Sequence, residues 1–229
     1  MRDFEFSALQ EARNYRAALV EEFAPYLGAR VLEIGAGIGQ LTQELLKVPQ
    51  IKSLACVEPS AEFCRIFREK FPSVSLVEGS AANLDANSAW DTIVSVNVLE
   101  HIQGDEQELA LYRKLLEKTR GHLCLFVPAR PELYSLLDKD FGHFRRYTRK
   151  GLEMKLQRQG FEILRSNYFN ALGYLAWWLH FRVLKKRSFD PAAVRAFDRF
   201  AFPVVRWWEK TIARPPLGQS LLVVARSNA

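Results

Sequence analysis

What the sequence lacks narrows it first. No apolar run approaches the roughly 20 residues that a membrane span requires, and the amino terminus MRDFEFSALQEARNY has neither the basic segment nor the apolar core of a secretory leader. A cytoplasmic location is the expectation. Cysteine is scarce: Cys56, Cys64 and Cys124 form no C-x-x-C pair and sit on or beside apolar runs, so reduced core thiols are expected rather than a disulfide or a zinc site. Internal repeats and low-complexity tracts are missing too, which excludes solenoids and long linkers. At 229 residues and 48% hydrophobic content the chain suffices for one full α/β domain with its own core, and is short for two. A single domain over residues 1–229 is expected.

Acidic residues are in short supply in one place. The net charge of +6 is matched by residues 171–214 alone, where nine basic side chains meet only Asp190, Asp198 and Glu209. That segment also contains Trp177, Trp178, Trp207 and Trp208, four of the five tryptophans, so the unusual chemistry of the chain is concentrated there.

Hydrophobic periodicity alternates between short strands and helices. Residues 7–24 read as a helix stopped by Pro25, and Val31–Ile34 as a buried strand. Leu41, Leu45 and Leu46 recur at helical spacing. Strands are expected at Ser53–Val57, Val74–Val77, Thr92–Val96, Leu123–Val127, from Phe161, and at Leu221–Val224; helices over about 60–70, 105–118 and 149–159. Strands alternating with helices predict a mostly parallel sheet covered on both faces.

The run RVLEIGAGIGQ joins the first strand to Gly35, Gly37 and Gly39. A dinucleotide fingerprint G-x-G-x-x-G would need glycine at position 40, which is Gln40. Glu33 sets a carboxylate just before the loop, where a pyrophosphate would be repelled and a positively charged ligand favoured. Glu58 ends the second strand, where a carboxylate can accept hydrogen bonds from both hydroxyls of a ribose. A nucleoside without a pyrophosphate fits these residues.

Glu33, the three glycines and Glu58 resemble the class I S-adenosylmethionine (SAM)-dependent methyltransferases, whose first motif has the form E/D-x-G-x-G-x-G. The resemblance spans about residues 14–170. It implies a Rossmann-like seven-stranded sheet, mostly parallel with the last strand antiparallel, and SAM as cofactor. It extends to Tyr15 near the cofactor, to Pro59 after the ribose acid, and to Glu78-Gly79-Ser80-Ala81 around the adenine, with Ser80 where the family usually has an acid. It continues in the fourth-strand segment Asp91 to His101, which includes Asn97. "FGHFRRYT" (141–148) and "PPLGQSLLVVARS" (215–227) also resemble bacterial members. The N/D-P-P-Y/F motif of enzymes that methylate nucleobase or glutamine nitrogens is absent, with Asn97-Val98-Leu99-Glu100 in its place. Oxygen of a small or lipid-linked molecule is therefore the expected acceptor. A nicotinamide-dependent oxidoreductase and a non-catalytic, membrane-associated SAM-binding regulator are the alternatives.

Methyl transfer from a sulfonium is an in-line displacement, so positioning supplies much of the rate, and a neutral oxygen acceptor also needs a base. Four histidines are available. His122 reads as a turn or surface residue and His180 as packing. His101, at a strand end on the cofactor side, and His143, in the loop after the fifth strand, remain as candidates, with Tyr147 beside them. Arg145 and Arg146 could bind an anionic substrate; the plainer reading of HFRRYT is a loop pinning the next helix, with Thr148 as its N-cap. Asn97, Glu100 and His101 resemble the E-x-x-E-H metal pattern of some O-methyltransferases without its first acid, and no metal is expected.

Residues 171–214 lengthen what is commonly a short hairpin between the sixth and seventh strands. Two helices, 171–187 and 192–213, are expected around Ser188–Pro191, with a kink at Pro203. Leaving the sixth strand at its carboxyl end, they should cap the substrate, and Trp177 is a candidate for its lining. An interfacial role is the alternative, with basic residues meeting anionic lipid and tryptophans at headgroup level. Nucleic acid is disfavoured as a partner, since no recognised RNA-binding module accompanies the basic residues.

Overall fold

The computed structural model of the protein describes residues 12–85, 88–188, 190–211 and 215–228. The start of the helix expected over 7–24, Arg214 and the end of the second inserted helix lie outside these residues. The expected strands form one seven-stranded sheet in the order β3-β2-β1-β4-β5-β7-β6. They are β1 (Arg30–Ile34), β2 (Ser53–Glu58), β3 (Ser75–Glu78), β4 (Thr92–Val96), β5 (His122–Pro128), β6 (Phe161–Phe169) and β7 (Ser220–Ser227). The first five pair in parallel, and β7 runs antiparallel between β5 and β6.

Strand β5 shows why both faces are covered. Successive side chains point to opposite faces, so Leu123, Leu125 and Val127 join one apolar cluster while Cys124 and Phe126 join another. The first cluster is closed by α4 (Asp105–Leu116), through Leu109, Tyr112, Leu115 and Leu116, and by α6 (Arg149–Arg158), through Leu152 and Leu156. The second is closed by α1 (Arg13–Phe23), through Leu19 and Phe23. Burying each such leucine contributes about 1.5–3 kcal/mol. All three cysteines are buried and free. Short α2 (Thr42–Leu45) follows the glycines; Leu46, expected on its apolar face, is exposed. Ser60 caps α3 (Ala61–Lys70), and Thr148 caps α6 by accepting the Gly151 N–H at 3.1 Å.

Between β6 and β7 the insertion is helical, as expected. α7 (Ala171–Trp177) runs into a π-helical stretch, Trp178–Val183; α8 (Pro191–Ala196) runs through another, Phe197–Ala201, into α9 (Phe202–Thr211). The second widening directly precedes Pro203, which cannot donate to the carbonyl four residues back, so the irregularity falls where a kink is expected. The two halves go to different places. α7 and its π-helical continuation pack Trp177 and Phe181 on Leu133 and on Leu137 of short α5 (Leu136–Asp140), in the loop after β5. α9 packs Phe202 against Tyr15 and Phe169, and buried Asp198 accepts the backbone N–H groups of Asn14 and Tyr15 at the start of α1. The first half therefore lies on the loop carrying His143. The second half braces α1. Among the described residues no helix is long and apolar enough to cross a membrane.

Candidate functional site

The glycine loop leaves the carboxyl end of β1 at the middle of the sheet, beside the ends of β2 and β4. Gly35, with φ +74°, and Gly39, with φ +83°, take left-handed conformations that L side chains rarely adopt. A Cβ on Gly35 would stand 2.3 Å from the Val98 side chain, and one on Gly39 2.1 Å from the Phe71 ring. Gly35 N–H and Ala36 N–H donate to the Val57 carbonyl, and Gly37 N–H donates to Glu58 Oε2 at 2.8 Å. Glu58 Oε1 accepts from Ser60 N–H at 2.9 Å. Its carboxylate is thus locked beside the loop by two backbone donors, and an ionised carboxylate has about four acceptor sites. Its acceptor chemistry suits the hydroxyls of a ribose.

Glu33 is placed otherwise than its spacing suggests. It is buried, with Oε2 accepting from the Thr42 hydroxyl at 2.6 Å and the Cys56 thiol at 3.5 Å. Burial pushes its pKa up to about 7, against the two hydrogen bonds, with a smaller upward contribution from Glu58. Glu33 ties the loop to α2 from beneath, so its carboxylate acts on a ligand through the loop it holds. Tyr15 is also committed. Its ring packs on Phe126, Phe169 and Phe202, and burial raises its pKa, against the opposing effect of Ser220. Pro59 is exposed at the end of β2, and Ser80 closes a capping box with Asn83 ahead of buried Ala81. Asn97 follows β4 exposed, in a left-handed conformation with φ +53°.

The loop after β5 brings His143 to the end of β4. Phe144 N–H donates to the Glu100 carbonyl at 2.8 Å, and the rings of His101 and His143 meet edge to face, centroids 4.7 Å apart. His143 Nδ1 lies 3.0 Å from Asp138 Oδ1, and Asp138 also accepts from Arg146 Nε at 2.8 Å and from Ser135 N–H and Oγ at 2.9 Å. Burial alone would raise the Asp138 pKa, but His143, Arg146 and Ser135 together hold it below the ordinary carboxylate range. An ionised Asp138 keeps the proton on Nδ1 and leaves Nε2 as the basic nitrogen of His143. Glu100, His101 and His143 each offer an atom, all within 4.8 Å of one another, that could hold a metal ion. The sequence pattern supplies two of these; the third comes from 42 residues further on, and folding alone brings it in.

The remaining loop residues expected at a substrate are occupied in structural roles. Arg146 is buried between Asp138 and the Trp177 ring, 4.3 Å from its centroid, and Trp177 Nε1 donates to the Leu133 carbonyl. Arg145 pairs with Asp105 at 2.8 Å and donates to the Gln103 carbonyl. Tyr147 donates to Asp105 and to the Leu99 carbonyl, and burial first, then Asp105, raises its pKa far from any basic role at neutral pH. Asp105 also receives Lys155. The arginines and Tyr147 therefore pin the loop, as the plainer reading has it, because two buried acids need their charge and their donors met. Asp105 and Asp138 are the residues sequence reasoning missed. Ser135-Leu-Leu-Asp138 has the spacing of a capping box, a signal that could have found the second.

A methyltransferase-domain family model matches residues 8–166, more than half of the chain. The chain belongs to this methyltransferase family. An uncharacterized methyltransferase of Bacillus mycoides is 37% identical over 91 residues, 38% of this chain and 42% of that protein. The chain thus matches about two fifths of the length of such curated relatives. Among solved structures, a SAM-dependent methyltransferase of Archaeoglobus fulgidus superposes with a TM-score of 0.63 at 18% identity, covering 93% of this chain and 94% of that one. One from Mesorhizobium loti gives 0.62 at 16%, covering 91% and 95%. These likenesses show the Rossmann-like methyltransferase fold, and the family sets aside the oxidoreductase alternative.

Proposed function

We propose that the protein is a SAM-dependent O-methyltransferase whose acceptor is a small or lipid-linked molecule, deprotonated by His143. The observation that carries the base is the buried, ionised Asp138 on His143 Nδ1, at the loop that meets the end of β4. The cofactor is S-adenosylmethionine, which supplies a methyl group already activated on a sulfonium. Glu58 takes the ribose hydroxyls, the glycine backbone allows close approach, and Ser80 and Ala81 flank the base. Proton removal at His143 Nε2 turns the acceptor hydroxyl into a nucleophile, and the positive imidazolium that forms is stabilised by Asp138. The β6–β7 insertion, through α7, fixes the loop that carries the base.

Replacing His143 by Ala should lower kcat by about 10²–10⁴-fold while SAM affinity stays. Turnover equal to wild type in that variant, across pH 6–9, would end the base assignment; no turnover with any hydroxylated acceptor in wild type would favour the regulatory alternative. A second reading rests on the Glu100, His101 and His143 grouping. There a divalent cation, rather than a base, would acidify the acceptor. Activity lost on chelation and regained with magnesium or manganese would select it, and the same activity in chelator would remove it.

A further inference from the structure

A helix on a protein surface normally turns one apolar stripe to the core and a polar face to water. The inserted helices break that rule on both sides. In α7 and its π continuation, Gly173, Trp177 and Phe181 are buried, while Leu175, Trp178, Leu179 and Val183 stand exposed on the other side. In the second helical run Asp198, Phe202 and Glu209 are buried, and outward stand Phe200 at 68%, Val204 at 65% and Trp207 at 61% exposure, with Trp208 beside them. The outward positions recur at the three- and four-residue spacing of a helix face, so each is a continuous stripe rather than scattered residues.

The charges around these stripes are one-sided. Arg182, Lys185 and Lys186 are exposed at the end of the first run, and Arg199 lies over the Phe200 ring. Two of the three acids of the segment are withdrawn from the surface, and the exposed third, Asp190, is engaged at a helix start. Asp198 and Glu209 are buried on backbone N–H groups of Asn14, Tyr15 and Ala171, and Asp190 caps α8 through Ala192 N–H. An apolar face with tryptophans, bordered by an excess of exposed cations, matches the boundary of an anionic bilayer, where indoles sit at headgroup level and basic side chains meet lipid phosphates.

We propose that the outward faces of the inserted helices dock the protein on an anionic lipid surface. The docking would present the site to an acceptor carried in the membrane, but it stands independently of the identity of that acceptor and of the base. Because the apolar side chains are already exposed, substitutions there leave the core packing untouched.

The test is flotation of the full chain with phosphatidylcholine vesicles, with and without about a third phosphatidylglycerol, at low and high salt. Wild type should float with the anionic vesicles, less so at 0.5 M salt, and the tryptophan emission should shift to the blue. Leu175→Glu with Leu179→Glu, and separately Val204→Glu with Trp207→Glu, should each lower the bound fraction about tenfold or more, with unchanged circular dichroism and SAM affinity. Lys185→Gln or Lys186→Gln should each weaken binding about fivefold. Equal binding to neutral vesicles, or binding unmoved by either pair of substitutions, would overturn the proposal. So would sedimentation showing a dimer, with no flotation, that the same substitutions dissociate: the stripes would then cover a second copy. Loss of SAM binding in wild type would instead count against the proposed function and leave the flotation result standing.

Discussion

Glu33→Gln isolates the acid beneath the glycine loop. In the unfolded chain Glu33 releases its proton at an ordinary value near 4.5; in the fold, burial moves this to about 7. Between those pH values the native state holds more protons than the unfolded one, so the contribution of Glu33 is fully present below 4.5 and is lost as pH rises toward 7. At about 1.4 kcal/mol for each tenfold change, the loss amounts to roughly 3 kcal/mol. Glutamine has nearly the same shape, its amide oxygen can still accept from Thr42, and it does not titrate.

Urea unfolding of both proteins from pH 4.5 to 8 measures the difference directly. Wild type should lose about 3 kcal/mol relative to Glu33→Gln over that range, a relative fall of roughly 6–12 °C in Tm for a chain of this size. The variant should therefore be relatively more stable at pH 8 than at pH 4.5. Parallel pH profiles would refute the reasoning, because they would mean that the Glu33 carboxyl is solvated or ionised in the native state. Stability falling for the variant alone at high pH would refute it too.

Gly39→Ala should lower stability by about 1–3 kcal/mol and weaken SAM binding, since the new methyl group would meet the Phe71 ring in a left-handed backbone; thermal unfolding and calorimetry would check both. Arg146→Ala leaves a fully buried Asp138 without its cation and should cost about 3–5 kcal/mol, whereas Arg145→Ala should cost less, because Asp105 keeps Lys155. Equal losses in urea unfolding would contradict this ordering. Glu58→Ala should weaken SAM binding at least tenfold by calorimetry, and unchanged affinity would remove the ribose role.

The central strands β1, β2, β4 and β5 were legible because each is a short apolar run, and a parallel strand buried on both faces needs nothing else; β6, Phe161–Phe169, is partly polar, and only its apolar start stood out. Gly35, Gly37, Gly39 and Glu58 were legible because they are local: a turn and an acid one helix apart. Arg145, Arg146 and Tyr147 were harder. Their chemistry suits a substrate as well as a buried acid, and choosing between them required Asp105, a single carboxylate with no marked pattern around it, and Asp138, marked only by its capping-box spacing from Ser135. The insertion resisted for another reason. A helix apolar on all sides has no periodicity to say which face meets the core, so only packing could show that Trp177 and Phe181 turn inward while Trp178 and Leu179 turn out.

Three strand ends on the ligand side carry backbone strain at non-glycine residues: Asn97 after β4, Arg130 after β5 and Asn170 after β6, with φ of +53°, +66° and +61°. Asn170 has a local purpose, since its Oδ1 accepts the Gly173 N–H and starts α7. Arg130 stacks over Tyr168. The backbone N–H of Asn97 is satisfied by the Phe126 carbonyl, while the residue itself stays exposed beside the glycine loop. Glycine would take this conformation without steric cost, and asparagine is the residue that next most readily adopts it, so the residue's use in the site is decided by removing its amide alone. Asn97→Gly should then leave stability within about 1 kcal/mol of wild type, yet lower SAM affinity or turnover tenfold or more. If stability, affinity and turnover all stay at wild-type values, the amide has no part in the site, and the strain at the end of β4 belongs to the fold alone.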